Sequence, residues 1–461
     1  MNTTNTKDQP TLNQSPTLFA LTWPIFIELA LNMLIGIVDT FMLGRYDDKA
    51  VAAVGVVNQL NNTMNLIFAV VATGTTILIA RQIGAGNRSE VPRFAATAIS
   101  LNFVFGLAIS LAILAAGEPI LSLMGLQDEL MPYALQYLNI TGGFIFVQAL
   151  MLTASAGLKS HGLTRQVMFV SIVMNIVHIG GNYVALNGLF GIPSYGVPGV
   201  AVSTVCSRAF AFVVMLILLM KVLVNKPGFR DFIRLRVQYV KELLGIGVPA
   251  AGEQLSYNIS QLVITSFIAM LGVTAMVTRV YTFQIIYLIT LFSLAIAQGT
   301  QILVARLIGA QDHQGAYRVG FRSLAYGVGI SLVIAGFYNL IGGYMLELLS
   351  GNDEVVELGR KLLLLSFLLE PGRAFNLILI SALRAAGDVR YPVYVGILFM
   401  WGLAVPCAYL FGIHLGWGLF GILTAFVMDE WIRGLMMAYR WKSRRWASPH
   451  EFKATSKAVE A

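Results

Sequence analysis

An aspartate interrupts the otherwise apolar stretch Ala30-Leu-Asn-Met-Leu-Ile-Gly-Ile-Val-Asp-Thr-Phe-Met-Leu-Gly44. Asp39 has no cation within seven residues other than Arg45, beyond the glycine. Placing a carboxylate at the centre of a bilayer costs roughly 2.5–3.5 kcal/mol on insertion scales, so such a group needs a function. Without a fixed counter-charge it is poised to take up a proton or a cation. The bland alternative is that Asp39 lies near the membrane edge and caps its helix. Five positions separate it from Gly44, which places it about two turns inside at most. The same segment carries Pro24, Glu28, Asn32 and Gly36 at intervals of four. Residues four apart share a helix face, so these form one polar, kinkable stripe.

Two further constellations could handle charge. Glu28 and Glu253 each follow a proline by four residues, in Trp23-Pro-Ile-Phe-Ile-Glu28 and Val248-Pro-Ala-Ala-Gly-Glu253. A proline frees backbone groups one turn back, and such breaks are tolerated at membrane depth where they line a cavity. Glu28 is expected either there or at the cytoplasmic end against loop cations, and Glu253, further in, is expected to face the cavity. Asn175, His178 and Asn182 follow three-and-four spacing and decorate one helix face. Asn offers a carbonyl to a cation or an N–H to a carboxylate, and His titrates near neutrality. Alone, such a His reads as an interhelical hydrogen-bond partner; beside Asp39 it becomes a candidate proton handler. Glu370 with Arg373, and Asp429 and Glu430 with Arg433, read as local ion pairs.

The elements that must position these groups are membrane helices. The chain is 57% hydrophobic and 12% charged, against about 25% charged in soluble domains. Twelve apolar stretches near or above the roughly 20 residues needed to span run at about 17–44, 51–80, 94–116, 132–157, 166–187, 197–223, 243–271, 274–304, 317–341, 357–383, 391–411 and 415–439. They divide six and six. Gly74-Thr-Thr-Ile-Leu-Ile-Ala-Arg-Gln-Ile-Gly-Ala85 matches Gly299-Thr-Gln-Ile-Leu-Val-Ala-Arg-Leu-Ile-Gly-Ala310 at nine of twelve positions, 225 residues apart. At that offset Pro24 meets Pro249, Glu28 meets Glu253, Lys159 meets Arg384 and Gly162 meets Gly387. Basic residues pair with basic residues, so the halves share one orientation, an arrangement used by secondary transporters.

The expected fold is thus an all-α membrane protein of 12 transmembrane helices in two pseudo-symmetric six-helix bundles. Residues 16–225 form one lobe and 243–442 the other, joined by a linker helix at 226–242 and flanked by tails 1–15 and 443–461. Of 31 Lys and Arg, 23 fall in 81–93, 158–165, 221–241, 306–322, 384–390 and 433–457, which puts both termini in the cytoplasm. The net charge of +8 is then a topology signal, and nucleic acid is not an expected partner. Cys206 and Cys407 lie in apolar segments without metal spacing, so no metal or cofactor is expected. Neither a nucleophile–base pair nor a soluble catalytic domain is visible, which argues against an enzyme.

Over about residues 15–445 the chain resembles the multidrug and toxic compound extrusion (MATE) family. The matching pieces are Val38-Asp-Thr-Phe-Met-Leu-Gly44, Ala80-Arg-Gln-Ile-Gly-Ala85, Gly196-Val-Pro-Gly-Val-Ala-Val-Ser-Thr204, Leu383-Arg-Ala-Ala-Gly-Asp388 and Gly416-Trp-Gly-Leu-Phe-Gly421. Each is weakly specific; their order, spacing and repetition are not. The resemblance implies an antiporter of the plasma (inner) membrane, expected as a monomer, that exports small, often cationic organic compounds in exchange for H⁺ or Na⁺. It assigns the ion-coupled carboxylate to Asp39 and the fifth-helix partners to His178 and Asn182, with Thr204 ending the following motif. A titratable ring at 178 and the lack of a second carboxylate at 182 favour protons over Na⁺. The acidic position of the tenth helix in some members falls on Arg373, so that role is not carried over; Glu253 fits the acidic position of the seventh. The cationic residues Arg208, Arg279 and Arg373 keep a lipid-linked oligosaccharide or polysaccharide exporter as the alternative. A non-transporting scaffold or receptor is disfavoured by the repeat.

Overall fold

The computed structural model describes residues 16–188, 193–233 and 235–447. The tail at 1–15 and the tail beyond 447 lie outside the described residues. In chain order the helices are α1 Leu18–Gly44, α2 Asp48–Gly84, α3 Val91–Leu123, α4 Met131–Gly143, α5 Ile145–Ser160, α6 Thr164–Asn187 and α7 Gly196–Val222. A short α8, Phe229–Ile233, leads into α9 Val237–Met270, α10 Val273–Gly309, α11 His313–Leu349, α12 Asp353–Ala386, α13 Arg390–His414 and α14 Gly418–Lys442.

Most helices run past the apolar stretches that predict them, because backbone hydrogen bonding continues through polar flanks until a cap stops it. Thus α2 begins at Asp48 behind an Asp47 cap, whose carboxylate accepts from the Lys49 N–H at 2.8 Å, and reaches Gly84. The span expected at 132–157 is two helices, α4 and α5, bent by 45° at Phe144. Nine of the described helices are long and apolar enough to cross a bilayer, and this bent pair makes a tenth. Two more rods, α9 and α14, complete twelve; polar residues break their apolar runs, Glu253, Gln254, Asn258 and Gln261 in the first and Asp429, Glu430 and Arg433 in the second. In α13 two π-helical turns, Met400–Ala404 and Leu410–His414, flank Pro406, which cannot donate a backbone hydrogen bond.

The cores show how the two lobes meet. One apolar cluster draws on both, with Ile77, Leu78 and Leu158 packed together with Leu243, Val304 and Leu383. It occupies the end that carries the basic connections. A second cluster, with Val54, Leu138 and Val200, lies within the first lobe alone, and a third, with Ile264, Leu369 and Leu423, within the second alone. The lobes therefore share a core at the basic end and part at the other. Close backbone approach seals the shared end. A Cβ at Gly74 would come within 2.7 Å of the Leu243 carbonyl oxygen, and one at Gly247 within 2.0 Å of the Val70 carbonyl oxygen.

Candidate ion-coupling site

The site is assembled where α1 meets α6. Gly181 of α6 lies so close to α7 that a Cβ there would stand 2.3 Å from Ser203 Oγ, and a Cβ at Gly199 would reach 2.7 Å from the Ala185 methyl. This glycine-lined contact sets α6 tightly on α7, and Ser203 Oγ donates to the His178 carbonyl at 3.0 Å. The adjoining strip of the same buried side of α6, carrying His178 and Asn182, meets α1.

There the expected constellation comes together. Asp39 Oδ1 lies 2.8 Å from His178 Nε2 and accepts from Asn182 Nδ2, also at 2.8 Å. Asn182 Nδ2 and His178 Nε2 are 3.1 Å apart. His178 is 3% exposed and Asn182 fully buried, while the Asp39 side chain keeps 14% of its surface open. The side-chain hydrogen bonds to Asp39 converge on Oδ1; among the described residues none goes to Oδ2. One oxygen is held by two nitrogens from a neighbouring helix, and the side chain keeps part of its surface open. The arrangement can receive a proton on Oδ2 while Oδ1 keeps both bonds. The two nitrogen donors satisfy the charge on Oδ1, while the Asn182 side-chain carbonyl oxygen is buried without a partner among the described residues.

The remaining predicted residues are placed as follows. Thr204, on α7, is buried and donates to the Val200 carbonyl at 2.9 Å, so its hydroxyl is partly engaged within its own helix. It stands against Tyr137 of α4, which sits within electrostatic reach of Asp39 and of Arg208. Tyr137 went unnoticed in the sequence because one phenol in Ala134-Leu-Gln-Tyr-Leu138 carries no charge to mark it. Asn175, one turn from His178 on the same face, is 5% exposed, and neither of its amide atoms meets a protein partner among the described residues. Asn32 lies exposed on α1, two turns from Asp39, and makes no contact with it.

The two proline-linked glutamates do not join this site. Glu28 pairs with Lys159 at 2.8 Å, and Glu253 pairs with Arg384 at 2.6 Å. Glu253 is thus committed to a cation rather than free in the cavity, because the repeat sets a basic residue of the neighbouring helix opposite each glutamate. In the second lobe Ile264, the counterpart of Asp39, is fully buried among hydrophobic neighbours. The second lobe concentrates its buried charge elsewhere. Arg373 bonds Glu370 at 2.6 Å and lies 3.5 Å from Glu430; Arg433 bonds Asp429 at 2.6 Å; Asn376 donates to Glu430 at 2.6 Å. The expected local pairs exist, and Glu430 fuses them into one network.

Known proteins agree with this architecture. The MatE family model matches residues 24–184 and 249–410, one segment in each lobe. The uncharacterized transporter YisQ of Bacillus subtilis is 45% identical over 429 residues, covering 93% of this chain and 94% of its own. The probable multidrug resistance protein NorM of Thermotoga maritima is 25% identical over 441 residues, covering 93% and 92%. Among solved structures, MATE in the bent conformation superposes with a TM-score of 0.86 at 19% identity, over 96% of this chain and 98% of that one. The Vibrio cholerae MATE transporter VcmN in the bent form gives 0.84 at 18% identity, over 92% and 95%. With one matched segment in each six-helix lobe and a 45%-identical relative along nearly its whole length, this chain belongs to the MatE family of multi-pass membrane transporters.

Proposed function

We propose that the chain is a secondary antiporter that exports bulky organic cations in exchange for inward protons. The observation that carries this reading is the single carboxylate Asp39, held through Oδ1 by His178 and Asn182 and unengaged at Oδ2. Ionised, it favours a cationic compound in the opening between the lobes. Protonated, it loses that attraction, and the compound leaves. A ligand shifts a two-state equilibrium only through differential affinity for the two states, and a shared carboxylate supplies that difference. Counting basic residues puts the closed end in the cytoplasm, so this conformation opens outward; the bacterial relatives support the plasma membrane. The multidrug names of the NorM relatives support an organic, broadly drawn substrate class.

Sodium is the weaker reading, since the groups on Oδ1 are N–H donors. A scaffold role is disfavoured by the two-lobe opening. The oligosaccharide exporter needs several free cations for a pyrophosphate, yet Arg373 is engaged by Glu370 and Arg279 donates to Thr265 at 2.8 Å. The test is efflux of a fluorescent organic cation from proteoliposomes under an imposed proton or sodium gradient. Proton-driven, sodium-independent efflux is expected, and drive by sodium alone overturns the proton assignment.

A further inference from the structure

The repeat builds one feature that the coupling chemistry does not use. Arg81, near the end of α2 in the first lobe, donates from Nε and Nη2 to the Ala385 carbonyl at 3.2 and 2.9 Å. Ala385 lies in the last turn of α12, in the second lobe. Arg306, the counterpart of Arg81 at an offset of 225, reaches back from α10 and donates from Nε and Nη2 to the Ser160 carbonyl at 3.2 and 2.7 Å. Ser160 is the last residue of α5 and the counterpart of Ala385.

The surroundings repeat as well. Past each capped helix end a left-handed glycine turns the chain away, Gly387 at φ +105° and Gly162 at φ +80°. A Cβ at these positions would stand 3.1 Å from Arg81 Nη2 and 3.3 Å from Arg306 Nη2. Between the two arginines α2 and α10 cross backbone to backbone. A Cβ at Gly84 would lie 1.9 Å from the Arg306 carbonyl oxygen, and one at Gly309 2.0 Å from the Arg81 carbonyl oxygen. The residues before the acceptors, Lys159 and Arg384, are salt-bridged to Glu28 and Glu253 within their own lobes. Each acceptor end is therefore pinned to its own lobe and gripped by the other.

The chemistry suits a releasable grip. The last carbonyls of a helix lack intrahelical partners and carry the negative end of its dipole, so a cation is favoured there. A guanidinium offers two N–H groups in a rigid plane to one acceptor, which a lysine cannot do. We propose that Arg81 and Arg306 are paired gate residues: a symmetric latch that holds the lobes together at the basic end and whose two grips must break for the cavity to open on that side. This rests on the reading that the lobes alternate.

The experiment is pulsed electron–electron distance measurement in nanodiscs. Spin labels at Gln127→Cys in the first lobe and Gly351→Cys in the second, at the parted end, report the separation on a Cys206→Ser, Cys407→Ser background. With the latch closed this separation is long. Arg81→Ala and Arg306→Ala are each expected to raise the ratio of short to long distances about tenfold, the scale of one charge-assisted hydrogen bond, and the double variant more than either. Arg→Lys at either site keeps the charge, loses the fork and gives a smaller shift. Gly84→Ala is expected to shift the ratio the same way with both arginines intact, by wedging the crossing open. Monodisperse arginine variants with the wild-type distribution overturn the latch. If the wild type exchanges two distances whose ratio those variants leave unchanged, the latch falls and the antiport reading stands. If the wild type holds one distance at every pH while the variants depart from it, the antiport reading falls and the latch stands.

Discussion

Replacing Asp39 by asparagine separates what its shape does from what its charge does. The amide carbonyl can occupy the place of Oδ1 and accept from both His178 Nε2 and Asn182 Nδ2, now at 2.8 Å each. Hydrogen bonds to a charged acceptor contribute ~1.5–3 kcal/mol and neutral ones ~0.5–1.5. The change therefore loses about 1 kcal/mol per bond, or about 2 kcal/mol in all, offset by no longer burying a charge. Asp39→Asn should fold with near wild-type thermal stability in detergent. Asp39→Ala instead leaves two buried donors without an acceptor, at ~1–3 kcal/mol each, and should unfold at clearly lower temperature. The functional consequence is the larger one. At one proton per compound, a two-unit pH gradient supplies about 2.7 kcal/mol, enough for roughly 100-fold concentrative transport. In Asp39→Asn that gradient has no carboxylate to act through, so accumulation in inverted vesicles should fall to equilibration. Proton-driven accumulation by a folded Asp39→Asn protein would refute the reasoning. Loss of stability equal to that of Asp39→Ala would refute the geometry.

Three other outcomes follow from the packing and the ion pairs. Gly181→Ala should lower stability by about 1–3 kcal/mol through crowding of Ser203, whereas Gly180→Ala, which meets nothing within 4 Å, should be silent; thermal unfolding monitored by intrinsic fluorescence decides. Glu253→Gln strands Arg384 in a largely buried pair and should cost about 3 kcal/mol, much of it recovered in Glu253→Gln/Arg384→Gln; unequal losses without recovery would exclude a mutual pair. The Tyr133 hydroxyl and the Lys49 N–H hold the Asp47 carboxyl below its ordinary value of 3.8. With the folded value the lower one, the stability it lends is in place at neutral pH and is lost only as pH falls below about 4. Asp47→Asn should therefore leave the transport profile between roughly pH 5 and 8 unchanged, which a stopped-flow pH series checks.

How far the sequence could be read depended on whether a feature lives in side chains that repeat or contrast. The 225-residue offset exposed two like halves, and apolar runs located the rods to within several residues. Polarity set against apolar surroundings marked Asp39, His178 and Asn182, which the fold brings within 3 Å or so of one another. The ion pairs Glu370–Arg373 and Asp429–Arg433 were legible because they are local. Glu28 fits one of its two alternatives, a loop cation, whereas Glu253 was expected towards the cavity; each partner lies 131 residues away, and no local spacing reports that Lys159 and Arg384 swing opposite them. The grip of Arg81 and Arg306 on backbone carbonyls was invisible for a deeper reason, since such an acceptor has no residue type. The 45° bend at Phe144 had a signal that went unread, the pair Gly142-Gly143 directly before it.

The apolar core shared by the two lobes has a thermal consequence. If the lobes part at that end, side chains such as Ile77, Leu78, Leu243 and Val304 lose their cross-lobe neighbours and border the water that enters. Exposing apolar surface to water raises heat capacity, so the balance between the two shapes should follow a curved, not linear, dependence on reciprocal temperature. Because apolar attraction weakens on cooling, cold favours the parted arrangement of that end. The resting shape of this transporter is thus set partly by the temperature of the water it works in.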